Sequence, residues 1–163
     1  MNYSKIKPVD VANGEGVRVS LFVSGCSHRC KGCFNPEAWN YGSGKFVTPE
    51  VVYKIMELCS KPYISGLSLL GGEPLDPKNI TVVTYIVSVF RRHFPNKTIW
   101  CYTGYDWERV KELPIMKDID VLVDGQFVEE LKDPRLKFRG SSNQRIIDVK
   151  KSLESGQVYA WSG

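Results

Sequence analysis

Apolar and polar positions along the chain fall into a repeated rhythm of short strands and longer helical stretches. Val17-Arg18-Val19-Ser20-Leu21-Phe22-Val23 alternates and is rich in branched and aromatic residues, which predicts a strand. Gly66-Leu67-Ser68-Leu69-Leu70, Thr98-Ile99-Trp100-Cys101-Tyr102 and Ile119-Asp120-Val121-Leu122-Val123 read as three more. Between them, Thr48-Pro49-Glu50 combines a capping hydroxyl, a first-turn proline and an acid, so a helix is expected from there to about Cys59. Its positions Val52, Ile55, Met56 and Cys59 share one face. Asp76-Pro77 repeats that signature and predicts a second helix to about His93, and a short third one spans about Asp106 to Leu113. Residues 1–16 read as an irregular lead-in ending Asn13-Gly14-Glu15-Gly16, and beyond Asp124-Gly125 the rhythm weakens.

Strands alternating with helices imply a parallel sheet built from βα units. Four clear steps predict an α/β fold in the form of a partial, open βα barrel rather than a closed eightfold one, and a single domain over residues 1–163. The breaker-rich segments support this reading. The cysteine loop after Val23, Gly71-Gly72-Glu73-Pro74, Thr103-Gly104 and Asp124-Gly125 each follow a strand, where such sheets assemble their sites.

Composition narrows the class without changing the fold. An apolar fraction of 42% with 12% aromatics is ordinary for a globular chain, and no apolar run reaches the roughly eighteen residues of a membrane span. Net charge is +4, with the basic residues dispersed among acids, so neither a dedicated nucleic-acid binder nor a membrane protein is expected. The first residues are polar, without the apolar stretch of a secretory signal, and the five cysteines are an odd number. Reduced thiols and a cytoplasmic location are the expectation.

Three of those thiols carry the chemistry. Cys26, Cys30 and Cys33 are spaced Cys-x3-Cys-x2-Cys within the loop that follows the first predicted strand. Three thiolates leave a tetrahedral metal or a four-iron cluster one ligand short, with a position open for a small ligand. Gly71-Gly72-Glu73-Pro74 complements such a position, since glycines let the backbone approach a ligand and a carboxylate accepts hydrogen bonds from an ammonium group. The competing metal is zinc, with His28 or a distant cysteine as fourth ligand, although paired Cys-x2-Cys elements are the usual zinc pattern. Cys59 and Cys101 sit on a helix face and in a strand, so both read as core residues, His28 reads as an exposed loop residue and His93 as a helix-end charge.

At these residues the sequence resembles the radical S-adenosylmethionine (SAM) superfamily. More narrowly, it looks like the glycyl-radical activating enzymes that serve anaerobic ribonucleotide reductase. That resemblance rests on Cys26 to Cys33, on Phe34-Asn35-Pro36-Glu37-Ala38-Trp39, on Thr103-Gly104-Tyr105, on Val123-Asp124-Gly125-Gln126-Phe127 and on Arg139-Gly140-Ser141-Ser142-Asn143-Gln144-Arg145. It implies a barrel of the radical SAM type with one [4Fe-4S] cluster on Cys26, Cys30 and Cys33. It further implies SAM held by Gly71, Gly72 and Glu73 at the methionine amine, with backbone around Gly32, Cys33 and Phe34 against the adenine. A flavodoxin-type donor would supply one electron, and the large subunit of the reductase would be the protein substrate. The chain departs from the wider pattern at Gly32, where an aromatic residue is frequent, and at Gly14-Glu15-Gly16, where Gly-Pro-Gly is frequent. Two other readings stay open: another small radical SAM enzyme, acting on a pyruvate formate-lyase-like partner or a small molecule, and a non-catalytic metal-binding module that holds a partner protein.

Overall fold

The computed structural model describes residues 1–33 and 36–163. Its frame is a seven-stranded sheet of β1 (Asn2–Asp10), β2 (Arg18–Val23), β3 (Lys45–Phe46), β4 (Gly66–Gly71), β5 (Thr98–Tyr102), β6 (Val121–Asp124) and β7 (Arg145–Asp148), in the order β3-β1-β2-β4-β5-β6-β7. The four strands expected from the pattern are the parallel centre, with β2 beside β4, β4 beside β5 and β5 beside β6. The remaining strands pair antiparallel and extend both edges. The lead-in is therefore not irregular. Residues Asn2–Asp10 form the longest strand, largely exposed and joined to β2 by main-chain hydrogen bonds that leave little hydrophobic trace in the sequence.

Four helices connect or follow the strands: α1 (Pro49–Cys59), α2 (Ile80–His93), α3 (Trp107–Val110) and α4 (Val149–Ser155). At α1 the Thr48 hydroxyl accepts from Val51 N, the expected cap, and Val52, Ile55, Met56 and Cys59 are the buried face. The second helix starts later than Asp76 because that carboxylate is engaged elsewhere. Asp76 Oδ1 accepts from Lys78 N at 2.9 Å and its Oδ2 from the Tyr41 hydroxyl at 2.5 Å, closing a turn before Ile80. Among the described residues no helix is long and apolar enough to cross a membrane.

Alternation along the central strands sorts the two faces of the sheet. Val19, Leu21, Val23, Leu67, Leu69, Ile99, Cys101 and Leu122 join one core with the buried faces of all four helices. The opposite face carries Arg18, Ser20, Phe22, Ser68, Leu70, Trp100, Tyr102, Val121 and Val123. No helix packs there among the described residues; instead Phe138 and Trp161 stack edge-on against Trp100, at centroid distances of 5.2 and 5.0 Å.

Two charged groups are built into that second face. Arg18, 1% exposed, spends its five N–H donors on Ser68 Oγ, Glu15 O, Thr98 Oγ1, Leu67 O and Thr98 O, and burial pulls its pKa down to about 10. Asp10 accepts from Ala12 N at 2.9 Å, Asn13 Nδ2 at 2.7 Å and the Ser20 hydroxyl at 2.6 Å. Burial pushes the Asp10 carboxyl up, and these hydrogen bonds, with Lys7 nearby, outweigh it and hold the group below its usual value. A depressed carboxylate stabilises the fold above its unfolded pKa of about 3.9 and loses that contribution as pH falls through the folded value. Asp10→Asn is therefore expected to flatten the loss of stability below about pH 4, read as urea midpoints across an acid series. Unchanged acid sensitivity would show that Asp10 does not contribute.

Candidate functional site

The parallel strands β2, β4, β5 and β6 all end at one edge, and the loops leaving them meet around a cavity of about 340 Å³. Cys26, Cys30 and Cys33 line it from the loop after β2, and Gly71, Gly72 and Glu73 from the end of β4. Thr103 and Gly104 contribute from the end of β5, and the apolar wall is made by Phe22, Leu70 and Val123 on the helix-free face of the sheet. Its size suits a cofactor-sized ligand. The sequence-expected residues are thus brought to one place, with two exceptions. Gly32 is not on the cavity wall; its backbone is left-handed and a side chain there would meet the Glu129 carboxylate within about 3 Å. Phe34 lies outside the described residues.

The three thiols are half-buried. Burial pushes the Cys26 thiol up to about 11 and raises that of Cys30, so both are protonated at neutral pH and iron must displace those protons on loading. Among the described residues no three His, Cys, Asp or Glu side chains converge as they would around a single ion. A cluster makes a different demand, because each thiolate binds its own iron and the ligands ring the site. Three thiols on the wall of one cavity, beside an uncommitted space, match that donor set.

His28 is not the exposed residue that its loop position suggests. Its side chain is 8% exposed, with Nε2 at 2.7 Å from Glu73 Oε1, Nδ1 at 3.2 Å from the Gln126 amide nitrogen, and its ring edge-on to Tyr105. The tautomer with its proton on Nε2 satisfies both contacts, donating to Glu73 and accepting from Gln126. Both ring nitrogens are thereby engaged, which leaves His28 no lone pair for a zinc ion.

Glu73 is the knot of the site. It is 1% exposed, and each carboxylate oxygen accepts twice: Oε1 from His28 Nε2 and Gly104 N, Oε2 from Leu75 N and the Thr103 hydroxyl, all at 2.7–2.9 Å. One carboxylate so ties together the cysteine loop and the ends of β4 and β5. The two glycines before it are as constrained. Gly71 is left-handed and a side chain would sit 2.7 Å from the Val23 backbone, while at Gly72 it would sit 2.5 Å from Gly25 O. Gly72 N donates to Val23 O and Glu73 N to Gly25 O, both at 2.8 Å, which presses this turn onto the cysteine loop.

Other residues singled out in the sequence bond to the loops around the site, and Arg139, Gly140 and Gln144 also line its cavity. Asp124, 1% exposed, accepts from Trp107 N at 2.8 Å and pairs with Arg145, which also reaches Glu108. Those carboxylates hold the Arg145 guanidinium above its usual value. Between Arg139 and Arg145 the chain bonds to itself: Arg139 donates to Ser142 O and Gln144 O, and Gln144 Oε1 accepts from Gly140 N and Ser141 N. Gln144 Nε2 then donates to Gly125 O, fastening this loop over the end of β6. Cys59 and Cys101 are fully buried core residues, as expected.

Comparison with known proteins places the same residues in a family context. The family model of the 4Fe-4S single cluster domain matches residues 12–147. A protein of enterobacteria phage T4 called anaerobic ribonucleoside-triphosphate reductase-activating protein is 44% identical, over 90% of this chain and 93% of its own length. Proteins of the same name from Vibrio cholerae and Escherichia coli K12 are 44% and 43% identical, each over 90% of this chain and 97% of theirs.

Proposed function

Because this chain belongs to the family of anaerobic ribonucleoside-triphosphate reductase-activating proteins, with its 4Fe-4S single cluster domain, we propose that it activates that reductase by placing a glycyl radical on its large subunit. Cys26, Cys30 and Cys33 hold one [4Fe-4S] cluster in this reading, and SAM fills the adjoining cavity with its amino-acid end toward Gly71, Gly72 and Glu73. Backbone near Gly32, Cys33 and Phe34 is assigned to the adenine. When bound, cluster and SAM supply one-electron cleavage of SAM to methionine and a 5′-deoxyadenosyl radical, which takes a hydrogen atom from a glycine of the reductase.

The chain's own residues have narrower tasks. The thiols anchor iron after releasing their protons; Glu73 and His28 hold the cysteine loop against the ends of β4 and β5; Phe22, Leu70 and Val123 keep water from the space where a carbon radical must survive. Four parallel strands with helices on one face support an open partial barrel of the radical SAM type, formed as a single domain over residues 1–163. A flavodoxin-type electron donor and a cytoplasmic location complete the reading.

The observation that carries it is the meeting of Cys26, Cys30 and Cys33 with Gly71, Gly72 and Glu73 on one cavity wall. Anaerobically reconstituted protein is expected to convert SAM to 5′-deoxyadenosine under dithionite even without the reductase, measured by chromatography. A non-catalytic metal-binding module would give none, and that result would overturn the proposal.

A further inference from the structure

A second cavity, of about 510 Å³, opens beside the first at the same edge of the sheet, built from the loops after β2, β5 and β6 and the segment leading into β7. His28 and Gly104 line both, so the two cavities meet there. Around the second one Asp106, Arg109, Gln126 and Asn143 are all exposed, within reach of another chain. Gln126 Nε2 meets His28 Nδ1 at 3.2 Å and Asn143 Nδ2 donates to Gln126 O at 2.8 Å, which leaves Gln126 Oε1 and Asn143 Oδ1 without a donor among the described residues. Arg109 lies over the Tyr105 ring, its guanidinium 4.8 Å from the centroid, and Tyr105 stands edge-on to His28. That stacking fixes the cation and leaves its N–H donors unspent among the described residues. The Asp106 carboxylate caps no helix N–H and has no other hydrogen-bond or ion-pair partner among the described residues.

These groups select a ligand by charge. A cation would be drawn by Asp106 and repelled by Arg109, and an anion the reverse, whereas a neutral group with a donor and an acceptor side by side satisfies both. The peptide main chain is such a group, and Gln126 Oε1 and Asn143 Oδ1 offer its N–H groups two further acceptors. We propose that this second cavity binds the main chain of the protein substrate beside the glycine that loses its hydrogen, a carbonyl accepting from Arg109 and an N–H donating to Asp106; this rests on the function proposed above. Glycine has no side chain to recognise, so the segment that carries it must be gripped at its neighbours. An extended chain rises about 3.3 Å per residue, so a few residues carry it from the junction at His28 and Gly104 into the second cavity.

Asp106→Ala and Arg109→Ala change the net charge in opposite directions, which separates local recognition from long-range attraction. Each should raise the reductase concentration giving half-maximal glycyl radical by roughly three- to tenfold, the value of one hydrogen bond. Asp106→Asn, which keeps an acceptor, and Arg109→Lys, which keeps a donor, should lose less. Maximal radical yield, and the 5′-deoxyadenosine formed from SAM under dithionite without the reductase, should stay within about twofold of the unaltered protein, since neither side chain lines the cofactor cavity. Half-saturation within about twofold for either alanine variant would overturn the inference alone. Effects of opposite sign for the two would do the same, by revealing attraction through net charge. An equal loss of SAM cleavage and of radical would place the damage at the cofactor and also overturn it. Unaltered protein that yields no glycyl radical would overturn the proposed function, and the inference with it.

Discussion

Cys26→Ala protein is expected to come out of anaerobic reconstitution colourless, with iron and sulfide at background, and to give no 5′-deoxyadenosine from SAM under dithionite. The substitution removes one of the three thiols on the cavity wall and leaves a cluster with two protein ligands where three already fall one short. The fold should persist. Cys26 is half-buried and its main-chain N–H, which donates to Trp39 O at 3.2 Å, survives in alanine. Circular dichroism unchanged from the unaltered protein, with iron lost, is thus the predicted pair of results. Full iron content in Cys26→Ala would remove this residue from the cluster and break the cysteine assignment.

Glu73→Ala should act in the opposite manner, through the fold. The substitution leaves Gly104 N, Leu75 N and the Thr103 hydroxyl without their acceptor in a site 1% exposed to solvent, and releases His28 from the end of β4. Removing one member of a buried, fully bonded polar group costs about 3–5 kcal/mol. The urea midpoint should fall by roughly 1–3 M. Glu73→Gln, which keeps one acceptor oxygen but turns an NH₂ toward donors, should fall between the two. A loss below about 1 kcal/mol for alanine would mean that the four bonds do not form in solution, and the cysteine loop would then need another tether.

What was legible beforehand follows from how far apart the interacting residues lie. The strands now seen as β2, β4, β5 and β6, and the cap and buried face of α1, are local patterns, and each was readable from a handful of neighbours. The strand β1 was not, because Asn2–Asp10, which meets β3 only at Asn2 and Tyr3, is held to β2 by main-chain bonds and keeps Lys5, Lys7 and Pro8 in water. The start of α2 was displaced for a related reason. Asp76 has the side chain of a cap but is drawn to Tyr41, 35 residues earlier in the chain. At the site, Cys26, Cys30, Cys33 and Gly71-Gly72-Glu73 announced themselves by spacing and type. The partnership of His28 with Glu73 joins positions 45 residues apart and left no local mark. Glu73 was expected to face a ligand's ammonium group; its four protein donors, which no local pattern announces, give it a part in assembling the site as well.

The most direct measurement of the central claim is electron paramagnetic resonance of the reconstituted protein mixed with anaerobic ribonucleotide reductase, SAM and a reductant. A glycyl radical signal that requires all four components, and vanishes with Cys26→Ala, is the predicted result. A mixture that cleaves SAM yet leaves the reductase without any radical signal would contradict it.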